Sequence, residues 1–297
     1  MAETEQAGPP GLVAIVAGRG ELPRRIAERR AQAGLPYLLV IFQDCFEDWM
    51  AAHPHEHHEF EKAGRLFRAL GQANAAHVVF AGAMNRPKLR LWRADLKAAG
   101  IAAKALRLLG KGDDAMLRGF ASIFEGEGLT MLGPRDILGG DVTVGVGALG
   151  RLTPDEAERQ DAARAAAIVA ALGPLDVGQG AVVAGGVCLA VEAIEGTDLM
   201  LARLADLPPE RRAACPAPSG VLYKGPKPGQ DMRLDMPAIG ARTVEGAARA
   251  GLKGIVVAAG ETFLMDGQAT QVAADEAGVF VYGATSDELH AWSVAHS

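Results

Sequence analysis

The sequence predicts an α/β protein with two domains, the first of which contains a parallel sheet. Aliphatic runs typical of buried strands alternate with helical periodicity along the first half of the chain, and the second half repeats this alternation. A glycine-rich stretch separates the two halves. The 297 residues are enough for two domains of about 150 residues each.

In the first half, the expected strands and helices follow one another in turn. Strands are expected at 12–17, 37–42, 77–81 and 129–132. Helices are expected at 21–33 and 61–72, and one further strand and one further helix are expected within 92–118. Pro23 lies in the first turn of the first helix, where a missing N–H costs nothing. Strands that alternate with helices form βαβ units, so we expect a Rossmann-like domain over residues 1–150.

The domain boundary is expected near residue 150. Glycine is abundant between residues 133 and 153, and the charge balance changes beyond this stretch. Residues 1–150 contain 18 Lys and Arg against 17 Asp and Glu, whereas residues 151–297 contain 12 against 19. We therefore expect a distinct C-terminal α/β domain over residues 151–297.

The second half begins with an alanine-rich stretch that predicts a helix at 154–172. Two apolar runs joined by Gly185-Gly186 then indicate a β-hairpin. The remaining expected elements are strands at 254–259 and 279–282 and helices at 197–204, 243–250 and 268–277.

The composition excludes several classes of protein. A net charge of −6 argues against general binding to nucleic acid, which needs a basic surface. No apolar run approaches the roughly 18 residues that span a bilayer, and the polar first ten residues do not have the pattern of a secretory signal. The three cysteines are widely spaced and form neither a disulfide framework nor a metal motif, which favours a reducing cytoplasm.

The turn after the first strand, Gly18-Arg19-Gly20, is typical of nucleotide-binding turns. Glycines let the backbone approach a phosphate, which then lies at the helix N-terminus. Pro23 replaces the third glycine of the dinucleotide motif, which disfavours a full NAD site, although Asp44 follows the next strand where a ribose-binding acid is expected. Two interpretations stay open: a phosphate or nucleotide contact, and a tight turn without a ligand.

A histidine-rich stretch is the most conspicuous metal candidate. The alternation places His53, His55 and His57 on one face of an extended segment. The stretch is very polar and contains Pro54, so we expect a solvated loop or an edge strand there and no metal.

Two acidic clusters have a structural and a functional interpretation. Asp113, after Lys111-Gly112, can begin a helix as its N-cap, or it can contact a metal or sugar hydroxyl while Lys111 binds an anion. The motif E-A-I-E-G-T-D at residues 192–198 places three carboxylates and a threonine within seven residues. Such an oxygen-rich cluster suits Mg²⁺.

The most informative stretch is the loop at residues 224–240. Its prolines and glycines exclude a regular helix, and Lys224, Lys227 and Arg233 alternate with Asp231 and Asp235. A rigid loop of this kind can present cations to phosphate oxygens beside carboxylates that bind a metal or activate water. The alternative is a surface loop with compensating charges.

With this loop, the motif at 192–198 and K-G-D-D at 111–114, the chain resembles the UDP-2,3-diacylglucosamine pyrophosphatases of the lipid A pathway, of the two-domain, non-calcineurin type. The resemblance implies hydrolysis with Mg²⁺ or another divalent cation as cofactor. It implies that water attacks the α-phosphorus and releases UMP and 2,3-diacylglucosamine 1-phosphate, called lipid X. It also implies a Rossmann-like N-terminal domain and a separate C-terminal α/β domain.

The resemblance assigns roles to residues of the three motifs and of the first turn, and also to Asn85 and Gln179. The expected catalytic residues are Asp235, Asp231, Lys224 and Arg233. The expected metal ligands are Asp235, Asp231 and Asp198. The expected substrate contacts are Gly18, Arg19, Gly20, Asn85, Lys111, Asp113, Gln179, Glu195, Gly196, Thr197, Lys227 and Gln230.

The expected partners are a lipid-linked UDP-sugar substrate, its lipid product, the membrane surface, which the protein would bind peripherally, and a second copy of the chain in a homodimer. We expect a cytoplasmic protein that is peripheral to the inner membrane, and no nucleic acid partner. Two other functions stay open: an NAD(P)-dependent oxidoreductase, which would leave the 224–240 loop without a use, and a non-catalytic nucleotide-sugar-binding protein.

Overall fold

The computed structural model describes residues 7–42, 45–84, 95, 97–98, 100–101, 113–208 and 218–294, without the side chains of 113–116 and 141. The chain divides into two compact units. The first comprises Met1–Gly140 together with Asp231–Asp235, and the second comprises Asp141–Gln230 and Met236–Ser297. The expected fold class is confirmed, because each unit is built of a sheet with helices.

The first unit contains a five-stranded parallel sheet. Its strands are β1 (Leu12–Ala17), β2 (Tyr37–Phe42), β3 (His55–His58), β4 (Ala75–Ala81) and β5 (Thr130–Leu132). Its described helices are α1 (Glu21–Gln32), α2 (Ala63–Gln72), α3 (Asp113–Gly126) and α4 (Pro134–Leu138). The strand order is β3-β2-β1-β4-β5, so the order reverses between β1 and β4. Ligands of doubly wound sheets bind outside the carboxyl ends of the strands at such a reversal.

Both faces of this sheet are buried by aliphatic side chains that alternate along β1. Ala14 and Val16 pack with α2 and α3 in one core cluster, whereas Val13 and Ile15 pack with α1 and α4 in another. The alternation arises because successive residues of a strand point to opposite faces. A parallel sheet covered by helices on both sides therefore explains the continuous aliphatic runs of the sequence.

The second unit contains a six-stranded mixed sheet. Its strands are β6 (Gly147–Ala148), β7 (Gly180–Ala184), β8 (Val187–Val191), β9 (Val221–Lys224), β11 (Gly254–Ala258) and β13 (Phe280–Ala284), in the order β6-β13-β11-β9-β7-β8. A separate two-stranded pair is formed by β10 (Ala238–Ile239) and β12 (Phe263–Leu264). The strands β9, β11 and β13 are parallel, and β7 runs antiparallel to β9 and β8.

The described helices of the second unit are α5 (Glu156–Leu172), α6 (Gly196–Ala205), α7 (Ala241–Arg249), α8 (Gly267–Ala277) and α9 (Ser286–Val294). One core cluster joins one face of the sheet to α6, α7 and α8, and another joins the opposite face to α5 and α9. Asp155 caps α5 by accepting the Glu158 N–H at 2.9 Å, in a reciprocal capping box. No helix in the described part of the chain is long and apolar enough to cross a membrane.

Candidate functional site

Lys224 ends β9, which lies between β7 and β11 in the sheet of the second unit. It is paired with Gly180, the first residue of the antiparallel strand β7. The Glu192 N–H continues the pairing on the other side by donating to the Gly180 carbonyl at 2.9 Å. Three neighbouring strand ends therefore bring Glu192, Gly180 and Lys224 side by side.

A chain of hydrogen bonds links the side chains at these strand ends. The Lys224 Nζ donates to Thr197 Oγ1 at 2.7 Å, and Thr197 Oγ1 donates to Glu192 Oε1 at 3.0 Å. Thr197 and Glu192 are buried, whereas Lys224 is partly exposed. Among the residues that the structure describes, the Lys224 ammonium bonds a hydroxyl and no carboxylate, so two of its three N–H groups stay available for an anion.

The second predicted lysine, Lys227, has a different environment. Its ammonium forms an ion pair with the Asp176 carboxylate, and both side chains are largely buried. The Lys227 N–H also donates to Gln230 Oε1 at 2.9 Å, while the Gln230 N–H donates to the Lys227 carbonyl at 3.1 Å. Gln230 thus closes the turn that follows Lys227, and the Lys227 charge is already compensated by a protein carboxylate.

The acidic motif at 192–198 forms the entry to α6. Gly196 begins this helix at φ +77°, a conformation that favours glycine, and Glu195 precedes it as the N-cap. The Glu195 carboxylate accepts from Arg203 at 3.0 Å and the Asp198 carboxylate accepts from Arg242 at 2.9 Å. Both predicted residues therefore form surface ion pairs.

In the first unit, Asp231 and Arg233 form a bidentate ion pair. The Arg233 Nε and a terminal nitrogen donate to the two carboxylate oxygens of Asp231 at 3.0 Å and 2.7 Å, and the Arg233 backbone N–H adds a third bond at 3.0 Å. Hydrogen bonds from the guanidinium lower the pKa of Asp231 below its usual value. The other guanidinium nitrogen lies 3.5 Å from Glu125 Oε1, so the Arg233 charge has two carboxylate partners.

Asp235 lies one helical turn after Asp231. Its N–H donates to the Asp231 carbonyl at 3.2 Å, and the Leu234 N–H donates to the same carbonyl at 2.9 Å. Leu234 packs against the core cluster of the first unit that contains α2 and α3. This apolar contact holds the short turn 231–235 on the first unit.

The glycine turn after β1 lies at the reversal of strand order. The N–H groups of Gly18 and Arg19 donate to the carbonyls of Ala81 at 2.8 Å and Ala83 at 2.9 Å, and the Gly20 N–H donates to Glu47 Oε2 at 3.3 Å. A Cβ on Gly18 would meet the Ala83 carbonyl oxygen at 2.6 Å, so the close backbone approach requires glycine. All three N–H groups of this turn thus have protein partners, and the phosphate contact there stays a prediction.

Several predicted residues are not described by the structure. Asn85, Lys111 and Asp44 lie outside the described residues, and Asp113 begins α3 without a described side chain. Gln179 is described: its carbonyl accepts the Gly225 N–H at 3.0 Å, which ties the start of the 224–240 loop to the residue before β7.

The fit of a divalent cation depends on free carboxylates. Within the described ranges, no three His, Cys, Asp or Glu side chains come together as a metal cage. Asp198 and Asp231 are engaged by arginines. Mg²⁺ is commonly bound by one or two carboxylates together with substrate phosphates, so a cage made of protein alone is not required. The metal ligands stay a prediction.

The histidine-rich stretch forms β3, at the edge of the first sheet, as one of the two expected alternatives. The rings of His55 and His57 pack edge to face at 5.5 Å, and Phe46 lies against both. The Tyr37 hydroxyl is hydrogen-bonded to His53 Nδ1 at 2.6 Å. These contacts explain the alternating rings as packing along an edge strand.

Comparison with known proteins decides the family. Residues 12–140 match the model of the LpxI N-terminal domain, and residues 145–282 match the model of the LpxI C-terminal domain. The chain is 37% identical over 274 residues to the UDP-2,3-diacylglucosamine pyrophosphatase LpxI of Caulobacter vibrioides, which covers 92% of this chain and 98% of that protein. The chain belongs to the LpxI family. The resemblance seen in the motifs is confirmed, and neither an oxidoreductase nor a non-catalytic nucleotide-sugar-binding protein finds support in these matches.

Within the LpxI fold of this chain, the sequence motifs identified Lys224 and Thr197 but not Glu192 as a site residue. The signal was present in the pattern Gly178-Gln179-Gly180, opposite Glu192 in the hairpin. A Cβ on Gly178 would meet the Glu192 carbonyl oxygen at 2.0 Å, and a Cβ on Gly180 would meet Glu192 Oε2 at 2.9 Å. Gly178 thus makes room for the backbone at residue 192, and Gly180 makes room for the Glu192 carboxylate.

Proposed function

We propose that this chain hydrolyses UDP-2,3-diacylglucosamine to UMP and 2,3-diacylglucosamine 1-phosphate, lipid X, in lipid A biosynthesis. The observation that carries the proposal is its identity of 37% to the Caulobacter vibrioides pyrophosphatase over nearly the full length of both chains. The two matched domain models cover both compact units of the chain.

The chemistry of a pyrophosphate explains the need for a cation such as Lys224. The oxygens of a pyrophosphate repel a nucleophile, and positive groups that neutralise this charge lower the barrier to attack. The Lys224 ammonium bonds the neutral Thr197 hydroxyl, whereas Lys227 and Arg233 are paired with carboxylates. We therefore expect Lys224 to bind the phosphate oxygens most directly.

We propose that water attacks the α-phosphorus and that Asp235 orients this water or binds the metal. Asp231 then has a supporting role, because its two oxygens hold the Arg233 guanidinium. A divalent cation would supply further neutralisation of the phosphate charge when bound. We propose Mg²⁺, held by Asp235 together with phosphate oxygens of the substrate.

We further propose that the protein works in the cytoplasm, at the periphery of the inner membrane, and that it forms a homodimer. The substrate supports the first point, because its two acyl chains keep it in a bilayer while its UDP group is exposed to water. Sedimentation with vesicles that contain the UDP-lipid, compared with vesicles that lack it, would measure the association.

Turnover by the purified full chain tests the proposed function. We expect UMP and lipid X to form in the presence of Mg²⁺, and we expect the rate of their formation to decrease strongly when EDTA is added. Asp235→Ala should abolish turnover while the UDP-lipid still binds, whereas Asp48→Asn, a change at an exposed carboxylate, should leave turnover unchanged. Binding without turnover by the unsubstituted chain would indicate a nucleotide-sugar-binding protein, and full turnover by Asp235→Ala would contradict the role of Asp235.

A further inference from the structure

Glu192 is a buried carboxylate with an unsatisfied oxygen. The residue is 9% exposed, its Oε1 accepts from Thr197, and its Oε2 has no hydrogen-bond partner in the described part of the structure. A buried polar atom without a hydrogen-bond partner destabilises the folded state, so such an atom calls for an explanation.

The number of protons fixes the direction of the hydrogen bonds. A threonine hydroxyl has one hydrogen and a carboxylate has none, so the Thr197 hydrogen points to Glu192 Oε1. Thr197 Oγ1 must then accept from Lys224, whose ammonium has three hydrogens. Glu192 thereby sets the direction of the whole chain of bonds, and the ammonium is held by one N–H.

The backbone around Glu192 is shaped to accept it. Gly178 has φ +55° and lies against the Glu192 carbonyl, while Gly180 leaves room for Oε2. Glu192 is also paired with Gly180 through the backbone, beside the pairing of Gly180 with Lys224. The backbones of Glu192 and Lys224 therefore both pair with Gly180, on the strand β7 that lies between them.

Asp161 of the same unit is a carboxylate with a structural role and serves as a comparison for Glu192. Its two oxygens accept the N–H groups of Gly185 at 2.9 Å and Gly186 at 2.7 Å, so both oxygens are used to hold the hairpin turn. Glu192 instead uses one oxygen, and that bond leads through Thr197 to the Lys224 ammonium. The difference points to positioning rather than to stability alone.

We propose that Glu192 is a positioning residue that orients the Thr197 hydroxyl and thereby holds the Lys224 ammonium for the substrate phosphates. The proposal rests on the proposed function for the phosphate ligand. It predicts that loss of the Glu192 acceptor weakens catalysis only through Lys224.

Substitutions at Glu192 and Thr197 separate the hydrogen-bond acceptor from the shape of the side chain. Glu192→Leu removes the acceptor and should lower kcat/KM for UDP-2,3-diacylglucosamine about tenfold or more, since an ordered hydrogen bond to a charged group is lost. Glu192→Gln keeps an oxygen for Thr197 and should restore most of the activity. Thr197→Val keeps the shape without the hydroxyl and should resemble Glu192→Leu, which provides a second test if the leucine variant does not fold.

A double-mutant cycle with Lys224 distinguishes positioning from a structural role. If Glu192 and Thr197 act through Lys224, adding Glu192→Leu or Thr197→Val to Lys224→Gln should cause no further loss in kcat/KM or in substrate affinity. Losses that multiply would overturn the proposal. Asp161→Asn is the matched control, expected to lower the melting temperature and leave kcat/KM unchanged. Absence of turnover in the unsubstituted chain would refute the proposed function instead.

Discussion

At the scale of single residues, Arg30 of α1 joins several backbone segments of the first unit. Its fully buried guanidinium donates to the carbonyls of Ala7, Pro9, Gly11 and Pro36 at 2.6–3.0 Å. Arg30→Ala should lower the free energy of unfolding by about 2–4 kcal/mol, because several carbonyls lose their donor together. Urea denaturation measures the change. Arg24→Ala on the same helix removes an exposed pair with Glu28 and should cost less than about 1 kcal/mol, so equal losses would contradict the account.

His58 of β3 makes stability depend on pH. Burial lowers its pKa below 6.5, its Nε2 is hydrogen-bonded to Glu56, and its Nδ1 is buried without a hydrogen-bond partner in the described structure. The unfolded chain therefore binds a proton more readily, and the contribution of His58 to stability is present above pH 6.5 and lost as the pH falls below it. His58→Phe should reduce the fall in melting temperature between pH 7.5 and pH 5, about the range in which histidine titrates. An unchanged fall in His58→Phe would contradict the account.

The types of side chain at the site were easier to predict than their partners. Lys224 and Thr197 were predicted as functional, and the structure joins them by a hydrogen bond. The partner Glu192 was counted in the acidic motif but was not assigned as a site residue, because its role depends on the pairing of β7 with β8. Asp231 was predicted as catalytic, but its paired hydrogen bonds with Arg233 depend on the conformation of the turn and have no signal in the residue pattern.

At the scale of elements, long periodic segments and the short strand expected at 129–132 were predicted well, whereas the short strand β9 was not. The strands at 12–17 and 37–42 and the alanine-rich helix of the second half agree with β1, β2 and α5 within two residues at each end. The strand β9 was missed because its four residues lie between segments rich in proline and glycine. It is a strand because β7 and β11 pair with it on both sides, which is a property of the folded sheet.

The turn after β1, at Gly18, packs closely against the turn after β4, at Gly82 and Ala83. This contact gives a test at the scale of elements. Gly18→Ala places a Cβ within 2.6–2.7 Å of backbone atoms of Gly82 and Ala83, and neither backbone can move aside as a side chain would. We expect a loss of about 2 kcal/mol or more in the free energy of unfolding. Gly71→Ala, on the open surface of α2, should instead increase stability by up to about 1 kcal/mol, because alanine favours the helix. Chemical denaturation of both variants measures the change in the free energy of unfolding. No change in that free energy for Gly18→Ala would contradict the close backbone approach.

At the scale of the whole molecule, the sequence predicted two α/β domains, and the structure contains two compact units with separate hydrophobic cores. The assignment of Asp231–Asp235 to the first unit was not predictable from the sequence, because it depends on Leu234 packing into a core formed more than a hundred residues earlier. The family assignment accounts for both units, since each matches its own LpxI domain model.

Hydrolysis of UDP-2,3-diacylglucosamine by the purified full chain in oxygen-18 water tests the proposed reaction most directly. Mass spectrometry of the two products locates the oxygen that water contributes. Attack at the α-phosphorus predicts that UMP carries the label and that lipid X carries none. Label on lipid X, or no hydrolysis at all, would contradict the proposed reaction.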